Sequence, residues 1–336
     1  MAYEPLFTIT PDILRRMEAI QVLHTRIQDA AVRLPALPIM QKEVIVRSAH
    51  GSSAIEGNLL TLAEARTVLE GKDIPTATRR SLQEIRNAAE AIKFIQSRGD
   101  ASRIQEADVF KIHALLGAQE ALDRGPIGAY RTYGVQVGHH IAPHFSEVAH
   151  YMNTLLEWVN EKGNEWPALI SSAVLHFRFE FIHPFGDGNG RTGRALAAWE
   201  LYRRKFDRQH LFAVDETLWR NRSRYYAALH DAEKTHPQDL TSWIGFMAEM
   251  VEATLESTWQ RLDGLRGGTA MENIHLTSRQ EKLLRLLRNG PMRPVDLQKD
   301  LELTKGGLHF VLKPLLEAGL VERSGGYKAG VYRIPG

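Results

Sequence analysis

Cysteine is absent from the 336 residues, which excludes disulfide bonds and thiolate metal sites and favours a reducing compartment. No apolar run approaches the length of a membrane span, and the N-terminal MAYEPLFTITPDILRR lacks the apolar segment of a secretory signal. The net charge of +2 argues neither for nor against a nucleic-acid partner. We therefore expect a soluble, cytoplasmic globular protein with no membrane contact.

Apolar residues recur at helical spacing along most of the chain, which predicts a mainly α-helical fold. The exception is YRTYGVQVGHHIAPH at 130–144, where two valines lie among small and aromatic residues. This pattern predicts a short β-hairpin flap. The clearest predicted helices cover residues 78–97, 106–120, 145–162, 166–183, 191–205 and the single stretch 215–234.

The stretch HPFGDGNGRTGR, residues 183–194, holds four glycines, a histidine, an aspartate and two arginines. Its second half fits the dinucleotide-binding pattern G-x-G-x-x-G, but the preceding residues have helical rather than strand spacing. The P-loop pattern G-x-x-x-x-G-K-[ST] is absent from this region. A plain turn would explain the glycines and Asn189, but not the flanking histidine and arginines. We therefore interpret the stretch as a ligand site.

The charges of this stretch favour an anionic ligand with a bound cation. Glycine-rich backbone and the start of the following helix suit phosphate, and Arg191 and Arg194 are spaced to share one helix face. Asp187 has the wrong charge for phosphate unless a cation intervenes, and Mg²⁺ bound by one carboxylate and by phosphates fits. His183 is placed to accept a proton, and Pro184 after it ends the helix.

At every defined position, residues 183–194 resemble the signature H-x-F-x-[DE]-G-N-G-R-x-x-R of the Fic family of protein adenylyltransferases. The likeness extends from about Glu106 to Met247. The resemblance implies a helical Fic core that transfers AMP from ATP to a Ser, Thr or Tyr hydroxyl of a protein, with release of pyrophosphate. Transfer of another phosphate-containing group and the reverse, AMP-removing reaction remain alternatives.

The resemblance also implies residue roles. His183 would deprotonate the target hydroxyl, and Asp187 would hold Mg²⁺. Asn189, with the backbone of its neighbours, would bind the α- and β-phosphates, and the two arginines would bind the outer phosphates. Glycine at position 190, where the kinase-like Doc branch has lysine, favours ATP in the AMP-transferring orientation. The expected ATP-binding residues are Val137, Gly138, His139, His140, Asp187, Gly188, Asn189, Gly190, Arg191, Thr192, Gly193, Arg194, Tyr225 and Tyr226.

The flap residues and the tyrosine pair need separate comment. The flap, residues 137–140, would align the target through backbone pairing. Tyr225 and Tyr226 would line the adenine pocket, although a tyrosine pair on an amphipathic helix is more often core. Relatives often carry asparagine about seven residues further on; this chain has Glu233, to which we assign no role.

The stretch SSAIEGN, residues 52–58, resembles the inhibitory motif [ST]-x-x-x-E-[GN] of the family, with Ser52, Glu56 and Gly57 in place. We hypothesise that Glu56 pairs with Arg194 and occupies the γ-phosphate position, so that the protein is autoinhibited. The alternative is that Glu56 is a surface acid at a helix end.

The last sixty residues resemble a winged helix-turn-helix, which predicts DNA binding, protein docking or assembly, a homodimer included. We favour a protein partner over DNA because Gly306 and Gly307 weaken the start of the third helix and Pro314 should kink it. A nucleotide-sensing DNA-binding regulator is the alternative function. The expected domains are 1–105 with an inhibitory helix at about 44–57, 106–247 as the Fic core, 248–276 as helix and linker, and 277–336 as the winged helix.

Overall fold

The computed structural model describes residues 2–32, 37–98, 103–138, 140–235, 237–266, 277–288, 290–317, 320–324 and 330–334. Within these ranges the fold is mainly α-helical, as predicted, with two short antiparallel strand pairs. The helices are α1 Pro11–Val32, α2 Leu37–Ile55, α3 Leu62–Leu69, α4 Arg79–Arg98, α5 Glu106–Leu116, α6 Val148–Asn160, α7 Ala168–Ile182, α8 Asn189–Arg203, α9 Val214–Arg220, α10 Arg222–Glu233, α11 Thr241–Arg266, α12 Ser278–Arg288, α13 Pro294–Asp300 and α14 Lys305–Glu317. The strands are β1 Gln136–Val137, β2 His140–Ile141, β3 Glu322–Ser324 and β4 Val331–Arg333.

The chain forms two compact units. One consists of Met1–His24 and Val44–Glu256, and the other of Thr25–Glu43 and Ser257–Gly336. The domain boundaries expected from the sequence, after residues 105, 247 and 276, stay predictions. Of the region 248–276, expected as helix and linker, residues up to Arg266 belong to α11, and residues 267–276 lie outside the described ranges.

Helix α7 is the central helix of the first unit. Its residues are buried on all sides, which is why its apolar pattern lacks a polar face. Helix α8 packs against α7, and Trp199 of α8 and Phe179 of α7 are fully buried. The loop between these two helices is the glycine-rich stretch 183–188, so the fold places this loop at one end of a rigid helix pair.

Two predicted helices differ markedly from the structure. The helix expected at 106–120 ends at Leu116, before Gly117, and Gln119 two residues further on has the left-handed conformation, with φ of 55°. The single helix expected at 215–234 is two helices. They separate at Asn221, which has φ of −111° and whose carbonyl accepts from the N–H of Tyr225 as α10 begins.

The second unit has its own apolar core, formed by leucine and valine side chains of α12, α13 and α14 and of the segment leading into β3. Strands β3 and β4 pair antiparallel, with Glu322 opposite Arg333. Three helices followed by a strand pair is the predicted element order, but the winged-helix assignment stays a prediction. Residues 325–329, which connect β3 to β4, lie outside the described residues.

In the described part of the chain, no helix combines the length and the apolar character that crossing a membrane requires.

Candidate active site

His183 ends α7 in a left-handed conformation, with φ of 49° and ψ of 59°. Its N–H donates to Phe179 O at 2.9 Å, and its carbonyl accepts from Arg131 Nε at 2.8 Å. The left-handed turn directs the chain away from the helix before Pro184. The side chain of His183 lines a cavity of about 160 Å³ in the first unit, as expected for a group that faces a ligand.

The imidazole of His183 is neutral at physiological pH. Burial lowers its pKa to about 4, and the neighbouring charges of His140 and Arg131 act in the same direction. Nδ1 lies 3.3 Å from Glu180 O, a carbonyl that accepts only from an N–H. The proton therefore resides on Nδ1, and Nε2 carries the lone pair that can accept a proton.

The loop after His183 is held by the side chain of Asn189. Its Oδ1 accepts from Phe185 N and its Nδ2 donates to Phe185 O, both at 2.9 Å. Phe185 is fully buried and stacks on His113, with ring centroids 3.7 Å apart. The Asn189 side chain thus has a structural role in the loop, and the expectation that it also binds phosphate stays a prediction.

Replacing Asn189 with alanine is expected to lower the stability of the first unit by about 2–4 kcal/mol, because a buried N–H and a buried C=O of Phe185 lose their partners. Thermal denaturation measures the change. Asn164→Ala is the matched control, because the amide of this exposed asparagine donates once, to Asn160 O. Equal midpoints for the two variants would contradict the structural role of Asn189.

Positions 188 and 190 each favour glycine, for different reasons. Gly188 has φ of 77°, a left-handed conformation that favours glycine, and its carbonyl accepts from Thr192 Oγ1 at 2.8 Å. A Cβ on Gly190 would collide with Glu56 Oε1, so only glycine lets that carboxylate approach α8. Thr192 is fully buried and bonds to the loop, which leaves its side chain no place in ATP contact.

Asp187 lies at the mouth of the loop with its carboxylate about one quarter exposed, at 28%. Oδ2 accepts from Asp123 N at 2.8 Å and Oδ1 from Gly188 N at 2.5 Å. The Asp187 carbonyl accepts from Nε2 of His113, whose Nδ1 accepts in turn from Gly128 N. These contacts hold the carboxylate in one orientation.

The donor set around Asp187 fits Mg²⁺ bound together with phosphate. Each carboxylate oxygen of Asp187 keeps a lone pair after the backbone contact, and such hard oxygens are preferred magnesium ligands. Among the described residues no cluster of three or more His, Asp or Glu can hold a metal by itself. Phosphate and water oxygens would therefore have to supply the remaining ligands, which is the usual arrangement for this ion.

The two arginines of the motif are both buried but have different partners. Arg191 lies 3.6 Å from Glu84 and 3.7 Å from Asp187, which places its charge beside the candidate metal ligand. Arg194 Nη2 donates to Glu56 Oε1 and to Ser52 O, both at 2.9 Å, and Nε donates to Ser52 Oγ at 3.2 Å. The contact between Glu56 and Arg194 predicted from the sequence is present.

The inhibitory stretch forms the end of α2 and the turn after it. Ser52 lies within the helix, and the N–H of Gly57 donates to Ala54 O at 3.1 Å. Gly57 has φ of 97°, so the turn that follows Glu56 needs this glycine. Glu56 is one third exposed, whereas the Arg194 side chain is 2% exposed. A partly exposed acid thus reaches a fixed, buried cation.

The flap and α10 contribute walls to the cavity at His183. Val137 and His140 of the flap line it, together with Tyr226 of α10. Strand β1 pairs with β2 across Gly138, which has φ of 59°, while His139 lies outside the described residues. The structure thus confirms a flap hairpin at the predicted place.

The tyrosine pair separates into two environments. Tyr225 is 1% exposed, and its hydroxyl lies 3.0 Å from His176 Nε2 in the core beside Trp243. Tyr226 lines the cavity, and its hydroxyl donates to Ile55 O at 3.3 Å. The expectation that Tyr225 lines the nucleotide pocket is therefore wrong, because its position on α10 faces α7.

Sequence reasoning missed four residues at the site. Glu233, to which no role was assigned, lines the cavity and lies 2.5 Å from His140 Nδ1. Asp215 Oδ1 lies 3.3 Å from Arg194 Nε, and burial raises the pKa of its carboxyl. Glu180 lines the cavity, and burial raises its pKa to about 8. The fourth residue is Arg131, whose Nε donates to His183 O. For Glu180, its place one helical turn before His183 was a usable signal.

Comparison with known proteins identifies the family of the helix pair and its loop. Residues 103–201 match the Fic/DOC family. Protein adenylyltransferase Fic of Nematostella vectensis is 30% identical over 239 residues, which cover 68% of this chain and 53% of the relative. Protein adenylyltransferase Fic of Drosophila mojavensis is 31% identical over 234 residues, covering 66% and 42%. The chain thus spans about half the length of the curated relatives it matches.

Solved structures extend the similarity to the whole chain. A Fic family protein from Desulfovibrio desulfuricans G20 is 27% identical, with a TM-score of 0.69 and coverage of 99% of both chains. A fragment of Fic-1 from C. elegans, 23% identical, shares the fold over 74% of this chain and 73% of its own, with a TM-score of 0.61. Together with the glycine-rich loop and its histidine, these similarities show that the chain belongs to the Fic/DOC family.

Proposed function

We propose that this chain is a protein adenylyltransferase, which transfers AMP from ATP to a Ser, Thr or Tyr hydroxyl of a protein and releases pyrophosphate. The observation that carries the proposal is a neutral, partly buried imidazole, His183, at the wall of a cavity and next to a glycine-rich loop that opens a helix. The printed names of the curated relatives support the same activity.

The reaction needs a base, and His183 supplies one. The target hydroxyl oxygen forms a bond to the α-phosphorus of ATP, while the bond from that phosphorus to the oxygen bridging to the β-phosphate breaks. Pyrophosphate leaves with that bonding electron pair. The hydroxyl proton moves to Nε2 of His183, which is free to accept it because the proton of the neutral ring is on Nδ1. The products are an AMP-protein ester and pyrophosphate.

The loop and the start of α8 would hold the phosphates. The first-turn N–H groups of a helix lack intrahelical partners and point outward with the positive end of the helix dipole, which favours anions. Arg194 adds a fixed positive charge on the same helix. A magnesium ion held by Asp187 would neutralise phosphate charge when bound.

Glu56 would keep the resting protein inactive. Its carboxylate takes the Nη2 donor of Arg194 and lies against Gly190 in the first turn of α8. A phosphate that needs the same donor and the same space would meet a negative charge there. ATP could then bind only with its phosphates displaced from the in-line position.

Exposed apolar residues of the second unit suggest that it binds another protein rather than taking part in the reaction. We propose that α13 and α14 contact a protein rather than DNA, because Val295 and Phe310 expose apolar side chains, at 71% and 81%. A homodimer and a cytoplasmic location are proposed from the sequence alone.

Labelled ATP tests the reaction type. The Glu56→Gly variant is incubated with a candidate target and with ATP radiolabelled at either the α- or the γ-phosphate. We expect covalent label on protein only from the α-position, with the γ-label recovered as pyrophosphate. Covalent γ-label would indicate a kinase-type reaction, and binding without covalent label would indicate a nucleotide sensor. Either result would overturn the proposal.

A further inference from the structure

Arg131 is a buried cation, and in the part of the chain that the structure describes its side chain donates to backbone carbonyls. Its side chain is among the most deeply buried in the chain, with the residue 2% exposed. Within the described ranges it forms no ion pair with a carboxylate. The four hydrogen bonds run from Nε to His183 O at 2.8 Å, from Nη1 to Tyr133 O at 2.8 Å, and from Nη2 to Pro143 O at 2.6 Å and Ile182 O at 3.4 Å.

These carbonyls come from two parts of the candidate active site. Tyr133 precedes β1 and Pro143 follows β2, so together they form the stem of the flap. Ile182 and His183 are the end of α7. The backbone N–H of Arg131 also donates to Pro184 O at 2.9 Å. One residue therefore joins both ends of the flap to the segment that carries the imidazole.

The contact with His183 O meets a conformational need. A residue other than glycine is strained in the left-handed region and keeps this conformation only where surrounding contacts impose it. The N–H of His183 donates to Phe179 O, and its carbonyl accepts from Arg131 Nε. Without the guanidinium, four carbonyls in the site would lose a donor at once.

The guanidinium charge also acts on the imidazole. Burial is the main reason that the pKa of His183 is low, and the positive charge of Arg131 lowers it further. The other charged groups that act on the ring are His140 of the flap, which lowers the pKa, and Glu56 after α2, which raises it. Loss of the Arg131 charge should therefore raise the pKa of His183.

We propose that Arg131 is a positioning residue that couples the flap to His183, so that a target hydroxyl aligned on the flap meets the imidazole in one fixed register. The proposal rests on the proposed transfer reaction, because a fixed distance between flap and base matters only if the target lies on the flap. Arg131 itself need not touch ATP or the target.

Two substitutions separate position from charge. Arg131→Lys keeps the positive charge but replaces the planar fork with a compact ammonium of three donors, which cannot reproduce the four carbonyl contacts, whereas Arg131→Met loses both the charge and the donors. In the Glu56→Gly background we expect transfer to fall about 10- to 100-fold in both variants, because misplacement of reacting groups by about 1 Å has effects of this size. The dissociation constant for ATP, measured by calorimetry, should not change.

The pH dependence of the rate tests the effect of the charge. The acid limb of kcat/KM should move to higher pH for Arg131→Met and stay in place for Arg131→Lys.

A readout without turnover keeps the test decisive. Hydrogen exchange at Ala142 N, which donates to Val135 O in the flap stem, should accelerate in Arg131→Met together with exchange at the end of α7. Arg103→Met is the matched control, because Arg103 forms an exposed ion pair with Glu161. It should alter none of these measurements.

The possible results separate the role of Arg131 from the proposed function. Full transfer by Arg131→Met, or slow flap exchange in that variant, would overturn the coupling. Loss of ATP binding in both variants would mean a general structural role and would overturn it as well. If Glu56→Gly itself transfers no AMP, the proposed function fails. Hydrogen exchange, and the titration of His183 followed by NMR, then still decide whether Arg131 couples the flap to the end of α7.

Discussion

Replacing His183 with alanine in the Glu56→Gly background is expected to reduce AMP transfer by about 10²- to 10⁴-fold, the usual contribution of a positioned general base. Among the histidines of the flap and of α7 that the structure describes, only His183 presents an accepting Nε2 to the cavity. His140 bonds through both ring nitrogens, to Glu233 and to Phe181 O. His176 is fully buried and contacts Tyr225. Steady-state rates with α-labelled ATP measure the loss.

ATP binding separates loss of the base from loss of the site. Because His183 is assigned to proton transfer and not to phosphate binding, His183→Ala should bind ATP as the parent variant does. His150→Ala, an exposed histidine of α6, is the matched control and should keep full activity. Full activity of His183→Ala would exclude it as the base, whereas loss of ATP binding would assign it to the nucleotide site.

The pH dependence of the same reaction tests the electrostatics of His183. A base works when deprotonated, and burial lowers the pKa of this imidazole to about 4. In the free enzyme, kcat/KM should therefore be constant from neutral pH down to about pH 5 and fall as the pH passes through about 4. An acid limb near 6.5, the ordinary histidine value, would mean that the ring is hydrated rather than buried.

The sequence predicted the site best where the residues are contiguous. His183, Asp187 and Arg194 lie within twelve residues at the junction of α7 and α8, so the local pattern alone brings them together. The contact between Glu56 and Arg194 spans 138 residues and was predicted only because a second motif marked the acid. The first prediction depends on a turn and a helix start that local spacing fixes, and the second depends on two motifs that lie far apart in the sequence.

Other features depend on packing that the sequence does not display. Adjacent positions of a helix point about 100° apart, so the pair at 225 and 226 had to divide between core and cavity, and its pattern did not say which residue faces which. Asn189 looks like a ligand residue by type, yet its amide matches the backbone of Phe185 within its own loop. Arg131 and Asp215 meet the site from distant segments without any motif, so only the three-dimensional structure identifies them.

Replacing Glu56 with glycine is expected to raise AMP transfer about 10- to 100-fold. A hydrogen bond between charged groups contributes about 1.5–3 kcal/mol, and about 1.4 kcal/mol corresponds to a factor of ten. Removing the carboxylate frees Arg194 Nη2 and the space beside Gly190 for phosphate, while Ser52 and Asp215 still hold the Nε side of the guanidinium. Label incorporated from α-labelled ATP measures the increase.

Two further variants decide whether the increase comes from the arginine. Glu56→Gln keeps the shape of the side chain but removes its charge, so it should activate less than Glu56→Gly. Arg194→Ala also releases Glu56, but it removes the cation that is proposed to hold phosphate, so it should stay inactive alone and should cancel the gain when combined with Glu56→Gly. Unchanged label in Glu56→Gly would contradict autoinhibition. Activation that survives Arg194→Ala would place the inhibitory contact of Glu56 elsewhere, because the freed guanidinium could then not be the group that ATP requires.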